Sequence, residues 1–386
     1  MPAEFTPGNR LTLLNSGAEY FPALITAIDE ARREVHLESY IFEDDSTGKA
    51  VAGALMAAAQ RGVSVRILVD GFGAPAFAET LMPALTDAGA MVLIYRPDIA
   101  RFRLRRHRLR RLHRKLVVID GKIAFVGGIN VIDDLNTPHQ TPPRYDYAVR
   151  LEGPLLASIQ NAMHRLWEIV VWASFKRRYR IAKSTLPKPA PCGTQAAAFL
   201  IRDNIRHRRD IEDAYLAAIA GARENIIIAN AYFLPGRRFR RALSDATQRG
   251  VQVTILLQGR VEYRLLHYAT QALYGKLLNA GIRIFEYRQS FLHAKVAVID
   301  EQWATVGSSN IDPFSLLLAK EANLVVLDQT FAAELRRSLG EAMQKGAQEL
   351  PRESWNQLPW HARLLRWASY NLVRIAIGIS GYGGRH

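Results

Sequence analysis

The sequence predicts an α/β chain made of two homologous halves, and three observations carry that prediction. One motif occurs twice: His113-Arg-Lys115-Leu-Val-Val-Ile-Asp120 returns as His293-Ala-Lys295-Val-Ala-Val-Ile-Asp300. Each copy is followed by glycine and asparagine, as Gly127-Gly128-Ile-Asn130 and Gly307-Ser308-Ser-Asn310, and all these positions are offset by 180 residues. Around both copies, short β-branched runs alternate with helix-period runs, the pattern of strands with intervening helices. At 386 residues the chain is long enough for two such units, each with a core of its own.

Taken in order, the first half places strands near Val35–Phe42, Val63–Val69, Met91–Tyr95, Lys115–Ile119, Ile123–Val126 and Tyr147–Leu151. They are apolar runs of strand length bounded by Gly, Asp or Pro. Helical spacing of apolar residues fills Ala50–Gln60 and Ser158–Trp172. In the second half the strands fall near Asn225–Phe233, Val251–Leu257, Ile282–Tyr287, Lys295–Ile299, Ala304–Val306 and Ala322–Leu327. Helices are expected at Arg237–Gln248, Tyr263–Ala280 and Phe331–Gln344. The proline-rich stretch Lys183–Cys192 reads as a linker. The expected division is therefore 1–183, a linker at 184–194, 195–350, and a basic C-terminal segment at 351–386. One motif per half implies a pseudo-twofold pair sharing one site at the interface.

The motif's spacing says which side chains can meet. On a strand, positions i and i+2 share a face, so His113 points with Lys115 and His293 with Lys295. Asp120 and Asp300 lie an odd number of residues from the histidine, and Asp120-Gly121 has the look of a turn. Both aspartates are expected to serve structure. Two histidines with two lysines form neither a carboxylate cluster for metal nor a serine–base pair. They suit an anionic tetrahedral substrate: ammonium groups neutralise a phosphate, one imidazole attacks phosphorus and the other protonates the leaving alkoxide. No metal and no cofactor are expected.

With these motifs in tandem the chain resembles the phospholipase D superfamily, from about Leu11 to about Leu339. Supporting matches are Glu38-Ser-Tyr-Ile-Phe42, Arg61-Gly-Val63 and Val69-Asp70, then Ala229-Asn-Ala-Tyr-Phe-Leu-Pro235 and Arg249-Gly-Val251. Ile201-Arg-Asp-Asn204, Phe285-Glu-Tyr287, Ala304–Asn310 and Glu321-Ala-Asn323 make it most similar to bacterial cardiolipin synthases of the B type, which lack N-terminal membrane helices. The resemblance implies two α/β/α sandwich halves about a pseudo-twofold, with His113, Lys115, Asp120, His293, Lys295 and Asp300 as the motif residues. It also implies phosphatidyl transfer between phosphatidylglycerol molecules through a phosphohistidine, with glycerol released. An acid orients each histidine in that superfamily; Glu321 fits His293, and Asp146 is the candidate for His113. Asn130, Ser308 and Asn310 are the expected phosphate binders. Gly128 stands where the second half has Ser308, so hydroxyl donation to phosphate is expected from one side only. His113 is expected to be the nucleophile.

Composition narrows the partners. The chain carries 51 Lys and Arg against 36 Asp and Glu, a formal charge of +15, which favours polyanions: nucleic acid or an anionic membrane. The single cysteine, Cys192, cannot form an internal disulfide. The start lacks the basic and apolar regions of a signal peptide, and the apolar runs Leu166–Phe175 and Leu372–Ser380 are broken by Glu168 and Arg374. The expected location is the cytoplasmic face of the cell membrane, held peripherally. Arg101–Arg114, with eight arginines and no acid, reads either as a solvated charge run or as a loop gripping lipid phosphates, with Phe102, Leu104, Leu109 and Leu112 at the acyl boundary. Lys176-Arg-Arg-Tyr-Arg180 is a second basic stretch. Trp360–Ile377 reads as an interfacial amphipathic helix with Arg363, Arg366 and Arg374 near one face, or else as a core-packed terminal helix. Anionic phospholipid is the expected partner, a phosphodiesterase acting on nucleic acid is the alternative, and an inert lipid scaffold is disfavoured by two intact motifs.

Overall fold

In the computed structural model, residues 3–96, 111–138, 140–180, 189–203, 207–260, 264–312, 319–356 and 359–377 are described. The first half contributes strands β1 (Thr6–Asn15), β2 (Glu34–Ser39), β3 (Ser64–Asp70), β4 (Met91–Tyr95), β5 (Arg111–Leu112), β6 (Lys115–Ile119), β7 (Ile123–Gly127), β8 (Arg144–Tyr145) and β9 (Tyr147–Glu152). The second contributes β10 (Gln195–Arg202), β11 (Asn225–Asn230), β12 (Gln252–Gln258), β13 (Arg283–Tyr287), β14 (Phe291–Leu292), β15 (Lys295–Ile299), β16 (Trp303–Gly307), β17 (Ala319–Leu327) and β18 (Ala347–Glu349). The helices are α1 (Ser16–Asp29), α2 (Ser46–Gln60), α3 (Leu81–Asp87), α4 (Leu156–Ala173), α5 (Asp210–Gly221), α6 (Arg237–Gln248), α7 (Arg264–Asn279), α8 (Gln329–Gly346), α9 (Arg352–Asn356) and α10 (Trp360–Ile377).

All strands but β8 and β14, which pair with each other, form one 16-stranded sheet whose order, apart from β18 and β5, reads β13-β12-β11-β15-β16-β17-β10 and then β1-β9-β7-β6-β2-β3-β4. The second run is the first in mirror order, so the halves meet edge to edge at the antiparallel pair β1–β10. Neither of these strands was expected from periodicity alone. Each joins its own half's β9 or β17, in matched registers such as Leu13 with Val149 and Phe199 with Leu324. An edge strand of each half thus finds its partner in the other, which leaves no open sheet edge at the seam.

Helices cover both faces, giving the expected α/β/α layering. Helices α1 to α3 close one face of the first half around Leu24, Val51, Leu55 and Phe77, and α5 to α7 do the same for the second around Tyr215, Phe239 and Leu273. On the opposite face α4 and α8 share one continuous core with residues of both halves, among them Leu156, Met163, Phe331 and Leu335. Strands β2, β6 and β15 are buried along their whole length, as layers on both faces require. Asp45 and Asp328 cap α2 and α8 by accepting the N–H groups of Gly48 and Phe331 at 2.9 and 2.8 Å.

Among the described residues no helix is long and apolar enough to cross a membrane. The terminal helix α10 lies along α7 and buries Val373, but it departs from the expected division of faces. Arg366 turns inward, over the Trp355 ring and onto Gln271 at 3.0 Å, while Trp360, Leu364, Trp367, Leu372 and Ile375 are exposed. Residues 101–110 of the expected loop and 184–188 of the expected linker lie outside the described residues. At the loop's end, Arg111 stacks on Phe72 and Arg114 is buried against Glu38. Arg114 therefore cannot grip a lipid phosphate.

Candidate active site

Both motif histidines stand at the carboxyl ends of the parallel strands, where α/β sheets place their ligands. Two short strands deliver them. β5, leading into His113, pairs with the start of β17; β14, leading into His293, pairs with β8. His113 N–H donates to the Lys320 carbonyl at 2.9 Å, and His293 N–H donates to the Tyr145 carbonyl at 2.8 Å. Lys320 and Tyr145 are the residues before Glu321 and Asp146, so each histidine arrives beside the acid of the other half. His113 Nδ1 lies 3.0 Å from Glu321 Oε2, and His293 Nδ1 lies 2.7 Å from Asp146 Oδ2. This reverses the expected assignment of Glu321 to His293 and Asp146 to His113. The two acids are equivalent positions, since Gly127 faces Ala148 as Gly307 faces Asn323. What spacing could not supply is the crossing of β5 and β14 into the opposite half.

A carboxylate beside Nδ1 selects the tautomer that donates from Nδ1 and leaves Nε2 with its lone pair. Lys295 Nζ lies 2.8 Å from the same His293 Nδ1. One nitrogen cannot donate to the acid and accept from the ammonium, and the carboxylate is the stronger partner. Lys295 is then satisfied by the His293 carbonyl and by Asp146 Oδ2 at 3.6 Å. Lys115 Nζ donates to the His113 carbonyl at 2.6 Å and lies over the Tyr40 ring. Burial pushes Lys115 down to about 7, against the pull of the Glu321 charge. Burial, and then the Lys295 charge, push His293 down to about 3; burial likewise lowers His113, opposed by Glu321. Burial acts upward on Asp146, but Lys295 and the His293 hydrogen bond outweigh it and hold the acid low. In the free site burial thus favours the neutral form of both imidazoles, the form needed for attack or for taking a proton.

Asp120 and Asp300 sit in the turns where spacing put them, with φ of 53° and 50°. Asp120 accepts the N–H groups of Arg32, Arg33 and Glu34 at 2.8 to 2.9 Å, and Asp300 those of Arg223, Glu224 and Asn225 at 2.9 to 3.0 Å. Each ties its hairpin to the strand that begins beside it. Asn130 spends its carbonyl on the Ile41 N–H at 3.1 Å, and Asn310 is buried. Ser308 differs from expectation: its hydroxyl donates to Glu321 Oε2 at 2.5 Å and accepts the Ala322 N–H at 3.0 Å. It holds the acid, so Gly128 is no missing phosphate ligand. A Cβ at Gly128 would stand 2.4 Å from Asp146 Oδ1, and only glycine leaves that acid its place against His293.

Three residues to which the sequence assigned no role also build the site. Asp70 Oδ2 accepts the Leu112 N–H at 2.7 Å and Gln258 Oε1 accepts the Leu292 N–H at 3.2 Å, so each half anchors the residue before its histidine. Tyr40 packs its ring 4.9 Å from the His113 ring. Among the described residues no group of three or more His, Cys, Asp or Glu side chains could hold a metal ion.

Two imidazoles with anchored Nδ1 atoms and two buried amines, drawn symmetrically from duplicated halves, define a phosphoryl-transfer site of the phospholipase D kind. The family model described as "Cardiolipin synthase, PLD-like domain" matches residues 24–167 and 215–343, and the chain belongs to that family, an enzyme of the phosphatidyltransferase type. It is 39% identical over 370 residues to cardiolipin synthase B of Escherichia coli, covering 92% of this chain and 86% of that one. It is 32% identical to the major cardiolipin synthase of Bacillus subtilis over 86% of this chain and 68% of the relative. The fold is similar to that of phosphatidylserine synthase from Haemophilus influenzae, with a TM-score of 0.72 at 14% identity, covering 96% and 95% of the two chains.

Proposed function

We propose that the protein is a cardiolipin synthase that moves a phosphatidyl group from one phosphatidylglycerol to another at a membrane surface. The observation that carries this is the pair of imidazoles, each held through Nδ1 by an acid from the opposite half. In the first step His113 Nε2 forms a bond to phosphorus as the bond from phosphorus to the glycerol oxygen breaks, and His293 gives that oxygen its proton. In the second step a hydroxyl of another phosphatidylglycerol gives its proton to His293 and displaces His113, forming cardiolipin. A phosphodiester beside the imidazoles favours a protonated form, opposing the burial that disfavours it in the free site. Lys115 and Lys295 neutralise the charge on the phosphoryl oxygens. Asn130 and Asn310 are the remaining candidates for phosphate contact.

Membrane attachment is supported by exposed aromatics beside cations. Trp172 and Phe175 are 74% and 85% exposed just before Lys176, Arg177 and Arg178, and Trp360 and Trp367 are exposed on α10. Such pairing suits the boundary between headgroups and acyl chains. We place the protein peripherally on the cytoplasmic face. The test is to incubate purified protein with phosphatidylglycerol vesicles and, separately, with DNA. Cardiolipin and glycerol in equal amounts are expected. Cleavage of DNA with no lipid product would replace this reading with that of a nuclease.

A further inference from the structure

The two halves differ in what stands over the motif. Tyr40 covers His113, with its ring also 5.3 Å from Lys115 Nζ. The equivalent position in the second half is Ala231. The pairing of Phe42 with Val131 corresponds to that of Phe233 with Ile311, which fixes the alignment, and Ala231 N–H donates to the Ala294 carbonyl at 2.9 Å. The second half therefore has a methyl group where the first has a phenol ring. Beside it opens a small cleft, continuous with solvent and lined by Ala231, Tyr232, Gln258, Arg260, His267 and Thr270 among others. Gln258 joins the cleft to the residue before His293 through its bond to the Leu292 N–H. An amide, an imidazole and a hydroxyl together suit a polyol, and an exposed guanidinium at the rim suits a phosphate attached to it.

We infer that this cleft is the alcohol subsite: it holds the glycerol headgroup, first as the group that leaves and then as the acceptor, with Arg260 facing the acceptor's own phosphate. The inference rests on the transfer reading above and deepens it. In-line displacement sets the departing oxygen opposite the attacking nitrogen, so the alcohol lies beside the histidine that protonates it. A cleft whose Gln258 and Ala231 bond the residues on either side of His293, with a ring over His113, makes His293 the acid and base and His113 the nucleophile. Because the acceptor enters where the first glycerol left, one cleft serves both steps. Its hydroxyl returns to His293 the proton that the first glycerol took, and the phosphorus–nitrogen bond breaks as the new phosphorus–oxygen bond forms.

The test is a competition in phosphatidylglycerol–detergent micelles between deuterated glycerol and 1-propanol, which lacks the vicinal hydroxyls. Mass spectrometry reads the ratio of labelled phosphatidylglycerol to phosphatidylpropanol. The native chain is expected to favour glycerol by at least about tenfold, since a site built for hydroxyls discriminates against an alcohol without them. Thr270→Val and His267→Leu should each lower the ratio roughly three- to tenfold. Ala231→Tyr, which supplies the ring that covers His113, should lower it by at least about tenfold. Melting temperatures identify which variants fold, and if Ala231→Tyr does not, the other two decide. No preference in the native chain, or a ratio unchanged in every folded variant while both products form, overturns the subsite alone. Absence of any phosphatidyl alcohol from the native chain overturns the transfer reading, and this one with it.

Discussion

Glu321→Gln should disable His113 and leave the surroundings of His293 intact. The glutamine amide can keep the shape of the contact: its oxygen can stand where Oε2 now accepts both the His113 Nδ1–H at 3.0 Å and the Ser308 hydroxyl at 2.5 Å. What disappears is charge. A hydrogen bond to a charged group contributes about 1.5–3 kcal/mol. Lost in the transition state, where His113 becomes positive, that is roughly 10- to 150-fold in turnover. A second effect adds to it. The Glu321 charge is the main influence opposing the burial that pushes Lys115 down to about 7. Without it the amine loses its proton at lower pH, so the basic limb of the pH–rate profile should move to lower pH and KM should rise. The assay is phosphatidyl transfer across pH, joined to nitrogen NMR of the two imidazoles. Expected are a shifted His113 signal and a His293 signal like that of the native chain. A variant that disturbs His293 and spares His113 would refute the crossed pairing.

His113→Ala and His293→Ala should each lower transfer by at least ~10³-fold, measured as cardiolipin formed per enzyme, because neither imidazole can perform the other's step. Asp120→Ala removes the acceptor for three N–H groups and forces a side chain less suited to positive φ into the turn. It should cost about 1–3 kcal/mol, seen as a melting temperature lower by a few degrees, with turnover of the folded enzyme largely kept. His293 has a folded pKa of about 3, below its unfolded value, so between pH 3 and 6.5 the unfolded chain binds the extra proton. Stability should therefore fall as pH drops through that window, and His293→Gln should flatten the fall measured by denaturant melts. Chelators should leave full activity, since two amines supply the charge that a cation would otherwise bring; a loss restored by zinc or magnesium would count against the mechanism.

The sequence by itself determined the class of fold, the duplication and the motif residues. The period-2 placement of His and Lys, the turn position of Asp120 and Asp300 and the fixed 180-residue offset are all local properties of the chain, and local properties survive into the structure. It also pointed to both acids, because Asp146 and Glu321 sit at matching places on strands with recognisable patterns. Which acid serves which histidine was decided by tertiary structure alone. β5 and β14 are only two residues long, too short for a periodic signal, yet their pairing with the opposite half carries each histidine across the seam. The same holds for β1 and β10, which are defined less by their own pattern than by the edge each must cover. Ser308 looked like a phosphate ligand until the buried Glu321 carboxylate beside it claimed the hydroxyl. Tyr40 and Ala231 lie in recognisable segments, but only the equivalence of the two halves in the fold shows that one fills the space the other leaves open. Side-chain chemistry is written in the chain, but partners distant in sequence are chosen by sheet register, which folding sets through contacts that no local pattern encodes.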